Sequence, residues 1–263
     1  MTEHNVEIES RGAVAWVWLN RPTVHNALNE AMIEEITEAF RTLADNASVR
    51  VIVLSGRGKS FSAGADVESM KRQGAAPIAA NLANARQLAE MYRTIAESPE
   101  PTIAIVNGAA IGGGLGLVAA CDIAIASNTA VFAASEVRLG LIPSTIAPYV
   151  VRAIGERQAR RLFQTGERIS AAQAEKIGLV HQAVDAEQLD VQLQLVINHL
   201  LAGAPNAQTA AKNLIEAVAS QPVTQELIEN TAQRIATIRS EPEAREGLSA
   251  FLEKRPAKWV PQE

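Results

Sequence analysis

Two loops of small residues in this sequence could do chemistry together. Residues 61–66 read FSAGAD, and residues 107–122 read NGAAIGGGLGLVAACD with three consecutive glycines. Glycine lets a backbone pass where a Cβ would clash, and it leaves main-chain N–H groups bare. The glycine run feeds a short helix, whose first N–H groups have no intrahelical partner and whose dipole favours negative charge. A turn of this kind can hold an oxyanion. Two N–H donors, one from each loop, aimed at a single carbonyl oxygen would stabilise the charge that develops on it.

The elements around these loops are mostly readable. Residues 5–20 pattern as a β-hairpin, with Val14, Trp16 and Trp18 alternating and a turn at Arg11-Gly12. The polar loop LNRPTVHNALN follows, and Asn29 can cap a helix striped by Met32, Ile36, Ala39, Phe40 and Leu43. Val49–Leu54 and Thr102–Val106 read as buried strands, with FSAGAD and the glycine turn just beyond their ends. Ligands bind at the carboxyl ends of strands in α/β sheets. Residues 67–98 read as a helical segment broken near Gly74-Pro77, and 122–127 and 130–134 as further strands. Helices are expected after Pro143 to Gly155, over 157–164 and over 171–178. From about residue 186 the pattern is wholly helical, at 187–202, 207–219, 224–239 and 241–253. A soft boundary near residue 200 separates a mixed region, 1–200, from a helical one, 201–263.

Composition narrows the function classes. The chain has 263 residues, 48% of them hydrophobic, enough to bury a core. A net charge of -5 argues against sequence-independent nucleic-acid binding. One cysteine, Cys121, cannot form an internal disulfide, so a cytoplasmic protein is expected. The opening MTEHNVEIES lacks the apolar core of a signal peptide, and no apolar run is long enough for a membrane span. Gly58-Lys59-Ser60 is not a P-loop, because Val53 stands where that motif needs glycine. The glycine run lacks the third glycine of a dinucleotide fingerprint, with Leu117 in its place. There is no G-x-S-x-G elbow, and His4, His25, His181 and His199 have no metal spacing. His25 reads as a surface histidine.

Taken in order, LNRPTVHNAL, FSAGADV, NGAAIGGGLGLVAACDIAIAS, FAASEVRLGLIP and FLEKRP resemble the enoyl-CoA hydratase/isomerase (crotonase) superfamily over nearly the whole chain. The resemblance implies an α/β fold, a spiral of ββα turns with a C-terminal helical trimerisation region, assembled as a homotrimer or a homohexameric dimer of trimers. It implies an acyl-CoA substrate, with coenzyme A as part of that substrate and no separate cofactor or metal. The two oxyanion donors map onto the amides of Ala65 and Gly113. The main chain near Ala63 and Val67 resembles the adenine-binding edge. Arg21 and, from a neighbouring subunit, Phe251 and Lys254 resemble CoA-contacting positions.

Hydratases of this family flank the C2–C3 bond with two glutamates. One maps to Glu136, where Phe132, Val137, Leu139 and Leu141 would raise its pKa and suit it to proton transfer. The other maps to Gly116, which has no side chain to hold water. Three functions are therefore weighed. In the first, Glu136 works alone in hydrating a 2-enoyl-CoA. The segments GGGLGLVAACD and SEVRLGLIPSTIAPYVVRAIGE resemble hydratases of branched glutaconyl-CoA, whose extra carboxylate Arg72, Arg86 or Arg93 could grip. In the second, one carboxylate shuttles a proton in a Δ3-Δ2-enoyl-CoA isomerase. In the third, the chain is a non-catalytic CoA-binding homologue.

Overall fold

The computed structural model describes residues 4–261. Residues 1–3 of the polar leading segment and 262–263 of the C-terminal region lie outside the described residues. In chain order the elements are β1 (Val6–Arg11), β2 (Val14–Leu19), α1 (Glu30–Ala44), β3 (Val51–Gly56) and β4 (Ser60–Ser62). Then come α2 (Val67–Ala75), α3 (Ile78–Ala96), β5 (Thr102–Val106), β6 (Ala109–Ile111), α4 (Gly113–Ala120), β7 (Ile123–Ser127) and β8 (Val131–Ala133). The chain continues through α5 (Ala147–Thr165), β9 (Ile169–Ser170), α6 (Ala171–Lys176) and β10 (Gln182–Val184). It closes with α7 (Leu189–Ala202), α8 (Pro205–Val218), α9 (Gln225–Ser240) and α10 (Pro242–Leu252).

The strands form two sheets, one ordered β1-β2-β3-β5-β7-β10 and a smaller one ordered β4-β6-β8-β9. Beyond the β1/β2 hairpin the large sheet is parallel, and β4, β6 and β8 are parallel in the small one. The chain therefore repeats one move three times: a strand in the large sheet, a short strand in the small sheet, then helix. This is the expected spiral of ββα turns. The large-sheet strands β3 and β5 are buried at every position, as both-face burial of a parallel sheet requires.

The helices form for readable reasons. Asn29 accepts the Met32 amide and caps α1, whose Met32, Ile33, Ile36, Phe40 and Leu43 are buried against the sheet. Burying each such side chain contributes roughly 1.5–3 kcal/mol. The α2/α3 break falls at Ala76-Pro77, as expected. The segment after Pro143 is kinked at Gly155, whose non-helical φ of 72° and ψ of 161° divide α5 into two helical stretches, as expected. Helix α7 runs on past residue 200, so the polypeptide crosses the soft boundary without a break. The last helices are tied to the sheets by Lys212 on Asp122, Thr209 Oγ1 on the Pro99 carbonyl, and Arg50 on the carbonyls of Gly203 and Trp259.

Four strands were not expected from the sequence: β4, β6, β9 and β10, each of two or three residues. FSAGAD and the glycine run thus leave the ends of β4 and β6, not β3 and β5. Since β4 and β6 are adjacent and parallel, the two loops emerge side by side.

The polar loop after β2 is more ordered than its composition suggests. Asn26 is fully buried at positive φ, and its side chain accepts the Arg21 amide and donates to the Arg57 and Ser60 carbonyls. The Asn26 carbonyl accepts from Ser62 Oγ, and the His25 carbonyl accepts the Ala63 amide. The loop is a brace along β4. Asn26→Ala should lower the unfolding free energy by about 2–4 kcal/mol, because several buried polar groups lose their partner at once. Urea denaturation measures this.

Candidate active site

Ala65 lies in an isolated parallel bridge with Leu28. The Leu28 amide donates to the Gly64 carbonyl, and the Asp66 amide donates to the Leu28 carbonyl. In a parallel pair the residue between those two bonds turns its own N–H the other way. The Ala65 amide is accordingly directed away from Leu28, and among the described residues it has no acceptor. Ala65 is exposed, while Gly64 and Asp66 on either side are buried.

Gly113 opens α4, so its amide has no intrahelical acceptor, and none is supplied from elsewhere among the described residues. Gly112 makes the turn from β6 into this helix at φ 50°, ψ -114°, a conformation that only glycine adopts readily. The two loops touch: a Cβ built on Gly64 would stand 3.4 Å from the Gly113 nitrogen. The free amides expected of Ala65 and Gly113 therefore belong to neighbouring stretches of one site.

Glu136 enters from the third turn of the spiral. It begins a 3-10 turn just after β8, the strand paired with β6. A Cβ on Gly112 would lie 3.0 Å from Glu136 Oε1, which puts the carboxyl beside the residue preceding Gly113. Glu136 Oε2 is buried and has no hydrogen-bond partner among the described residues. Burial raises the Glu136 pKa above the usual carboxylate range, and its own main-chain amide opposes that only in part. The apolar neighbours expected to cause this need correction. Leu139 and Leu141 are 63% and 54% exposed, because the turn ends in a left-handed Gly140 and carries them outward.

Tyr92 is a site residue that the sequence did not disclose. Its hydroxyl donates to the Gly113 carbonyl at 2.9 Å, its ring is fully buried, and its pKa is pushed far up by burial and then by the Glu136 charge. In an apolar helical stripe with Met91 and Ile95, a tyrosine reads as core. Gly116 also differs from the vacancy its lack of a side chain suggests. A Cβ there would fall 2.2 Å from Ile146 Cγ2 and 2.9 Å from the Tyr92 ring. Ile146, next to the start of α5, and Tyr92 fill the place where a second acidic side chain would begin.

The remaining expected positions divide. Ala63 and Val67 are exposed along the same edge as Ala65. Arg21 is not a free surface cation: its guanidinium donates to the Ala27 carbonyl and pairs with Asp66 Oδ2 at 3.0 Å. Phe251, 80% exposed, and Lys254 stand at the end of α10, which packs mainly on α8 and α9. Arg72 pairs with Glu30, and Arg93 with Glu90 and Glu97, whereas Arg86 is exposed with no side-chain partner among the described residues. Cys121 is inert as a nucleophile, since burial pushes its thiol up to about 12. His25 is exposed, with Nδ1 3.1 Å from Ser60 Oγ. Among the described residues no cluster of His, Cys, Asp and Glu could hold a metal ion, and no helix is long and apolar enough to cross a membrane.

Three adjoining turns of a ββα spiral thus place two unpaired amides and one buried carboxyl together, the equipment for stabilising an enolate and moving a proton beside it. Comparison with known proteins agrees. The family described as Enoyl-CoA hydratase/isomerase matches residues 9–262. An enoyl-CoA hydratase structure from Shewanella pealeana is 40% identical with a TM-score of 0.95, covering 97% of this chain and 96% of that one. One from Mycobacterium smegmatis is 34% identical with a TM-score of 0.91, covering 98% and 100%. A crotonyl-CoA hydratase of Syntrophomonas wolfei is 31% identical over 99% of each chain. The chain belongs to the enoyl-CoA hydratase/isomerase (crotonase) superfamily, and it is an enzyme of that family.

Two outcomes follow from this geometry. A carboxyl whose pKa is higher folded than unfolded binds its proton more tightly in the native state. Its contribution to stability is therefore lost as pH rises from the unfolded value toward the native one. Glu136→Gln should raise Tm at pH 8, and the gain should fade below about pH 4, where both states are protonated; calorimetry across that range measures it. Gly116→Ala should cost about 1–3 kcal/mol by overpacking against Ile146, and adding Ile146→Ala should recover part of the loss.

Proposed function

We propose that the protein adds water across C2=C3 of a 2-enoyl-CoA thioester through an enolate. The thioester oxygen takes the amides of Ala65 and Gly113. Glu136, ionised, accepts a proton from water as the water oxygen bonds to C3. The C2=C3 electron pair moves into the C1–C2 bond, and the charge collects on the thioester oxygen. Glu136, now protonated, returns the proton to C2. The net change is H on C2 and OH on C3. Losing one oxyanion donor typically costs ~10²–10³ in rate, so the amides carry a large share of the barrier. Ala63 and Val67 line the edge for the CoA adenine, with Phe251 and Lys254 supplied by a neighbouring subunit.

The observation that carries this reading is Glu136 Oε2, buried without a partner at the head of the glycine turn. A carboxyl left so costs stability that only a use offsets. Glu136→Gln should lower kcat by at least ~10²-fold with acyl-CoA binding nearly unchanged, a loss typical of removing a general base. Unchanged turnover would end the assignment.

A Δ3-Δ2-enoyl-CoA isomerase is favoured by one feature, the hydrocarbon of Ile146 and ring of Tyr92 where a second acid would begin. Turnover in H₂¹⁸O separates the two, since hydration labels C3 and isomerisation incorporates no oxygen. For the acyl chain, the branched glutaconyl type is supported by likeness of sequence segments. Arg86 is the candidate cation left without a side-chain partner. In a screen of linear, branched and carboxylated enoyl-CoAs, preference for a carboxylated chain that disappears in Arg86→Ala is the expected sign of that substrate.

A further inference from the structure

The Leu28/Ala65 bridge, which sets the direction of the Ala65 amide, is only one residue pair long. A single bridge with two hydrogen bonds has little intrinsic persistence, so something must keep its two strands in register. Arg21 touches both. Its Nη1 donates to the Ala27 carbonyl, on the residue before Leu28, and to Asp66 Oδ2, on the residue after Ala65. The same nitrogen therefore clips the two strands on either side of the bridge.

Both ends of the clip are themselves fixed. The Arg21 main chain is held by Asn26, whose Oδ1 accepts the Arg21 amide at 2.8 Å and whose amide donates to the Arg21 carbonyl at 2.9 Å. Asp66 Oδ1 caps α2 by accepting the amides of Glu68 and Ser69 at 3.0 and 3.2 Å. The side chains of Arg21 and Asp66 are 19% and 12% exposed, so the pair is shielded from water more than any surface ion pair on this protein that involves α2 or α3. Burial works against the Asp66 charge. The Ser69 amide and the Arg21 guanidinium outweigh it and hold the carboxyl below its usual range.

We propose that Arg21, acting through Asp66, is a positioning residue for the oxyanion donor Ala65. The pair locks the Leu28/Ala65 bridge so that the Ala65 N–H stays directed at the thioester oxygen. This rests on the function proposed above, in which Ala65 is a donor. It differs from a phosphate contact by Arg21, because its effect falls on the chemical step and not on the hold on CoA.

Arg21→Ala should lower kcat on the order of 10–100-fold, the sensitivity expected of a misplaced donor, with KM within about threefold of the parent value. Asp66→Asn, which keeps a good capping side chain and so protects the fold, should show the same pattern. The double variant should be little worse than either single one. Arg21→Lys should recover part of kcat. The defect should persist with an enoyl-pantetheine thioester, which has no phosphate or adenine. A readout free of turnover is the infrared stretch of the thioester carbonyl of bound butyryl-CoA, lowered in the parent and shifted back toward the free value in Arg21→Ala and Asp66→Asn. If Arg21→Ala raises KM alone, turns over the pantetheine thioester at the parental rate and leaves the carbonyl stretch in place, the proposal is overturned and Arg21 is a CoA contact. If the parent shifts the stretch but hydrates no enoyl-CoA, the hydratase reading fails by itself, and the clip is judged on the stretch.

Discussion

Main-chain amides normally spend their hydrogen-bonding capacity inside the fold. The Ala65 and Gly113 amides are held back from that accounting by two different devices. A helix start leaves Gly113 without an acceptor of its own. A lone parallel bridge uses the Gly64 carbonyl and the Asp66 amide on either side of Ala65 and turns the Ala65 amide the other way. Backbone donors suit the task because they are anchored by the fold and need no reorganisation as charge appears on a substrate. Much of the surrounding architecture can be understood as keeping these two groups unpaired and adjacent. The small sheet sets β4 beside β6, Gly112 turns the chain into α4, and the loop after β2 braces the far side.

The carboxyl obeys the opposite economy. An ionised group is costly to bury, and Glu136 carries that cost with one oxygen unpartnered. Its pKa, raised by burial, makes it a stronger proton acceptor than an ordinary carboxylate, which suits a group that must take and return a proton within one turnover. Tyr92 links the two halves of the site. Its hydroxyl proton is spent on the Gly113 carbonyl, so it anchors the start of α4, while its ring and Ile146 replace polar side chains with hydrocarbon beside the acid. A low-dielectric wall there strengthens the field of both amides and the acid alike.

Much of this was legible in the residues. The long helices announced themselves by period, Asn29 by capping chemistry, and β3, β5 and β7 by unbroken β-branched and apolar runs. The two loops were recognisable because glycine and alanine in succession leave little but backbone. The short strands β4, β6, β9 and β10 were not, since two or three residues are fewer than any periodicity needs. Leu139 and Leu141 misled for a related reason: in a tight turn, neighbours in sequence diverge in space, and both side chains point outward.

By itself, then, the sequence determined the family, the kinds of groups available and the local conformations that depend on only a few neighbouring residues. These are properties of short stretches, set by sterics and by the hydrogen bonds each residue can offer its near neighbours. Tertiary structure alone decided that Tyr92 and Ile146 fill the space over Gly116, that Arg21 faces Asp66 across 45 residues of chain, and that three loops from separate turns of a spiral converge. Those contacts join residues far apart in sequence. Their existence depends on how α3, α4, α5 and the loops pack together and not on any pattern along the chain.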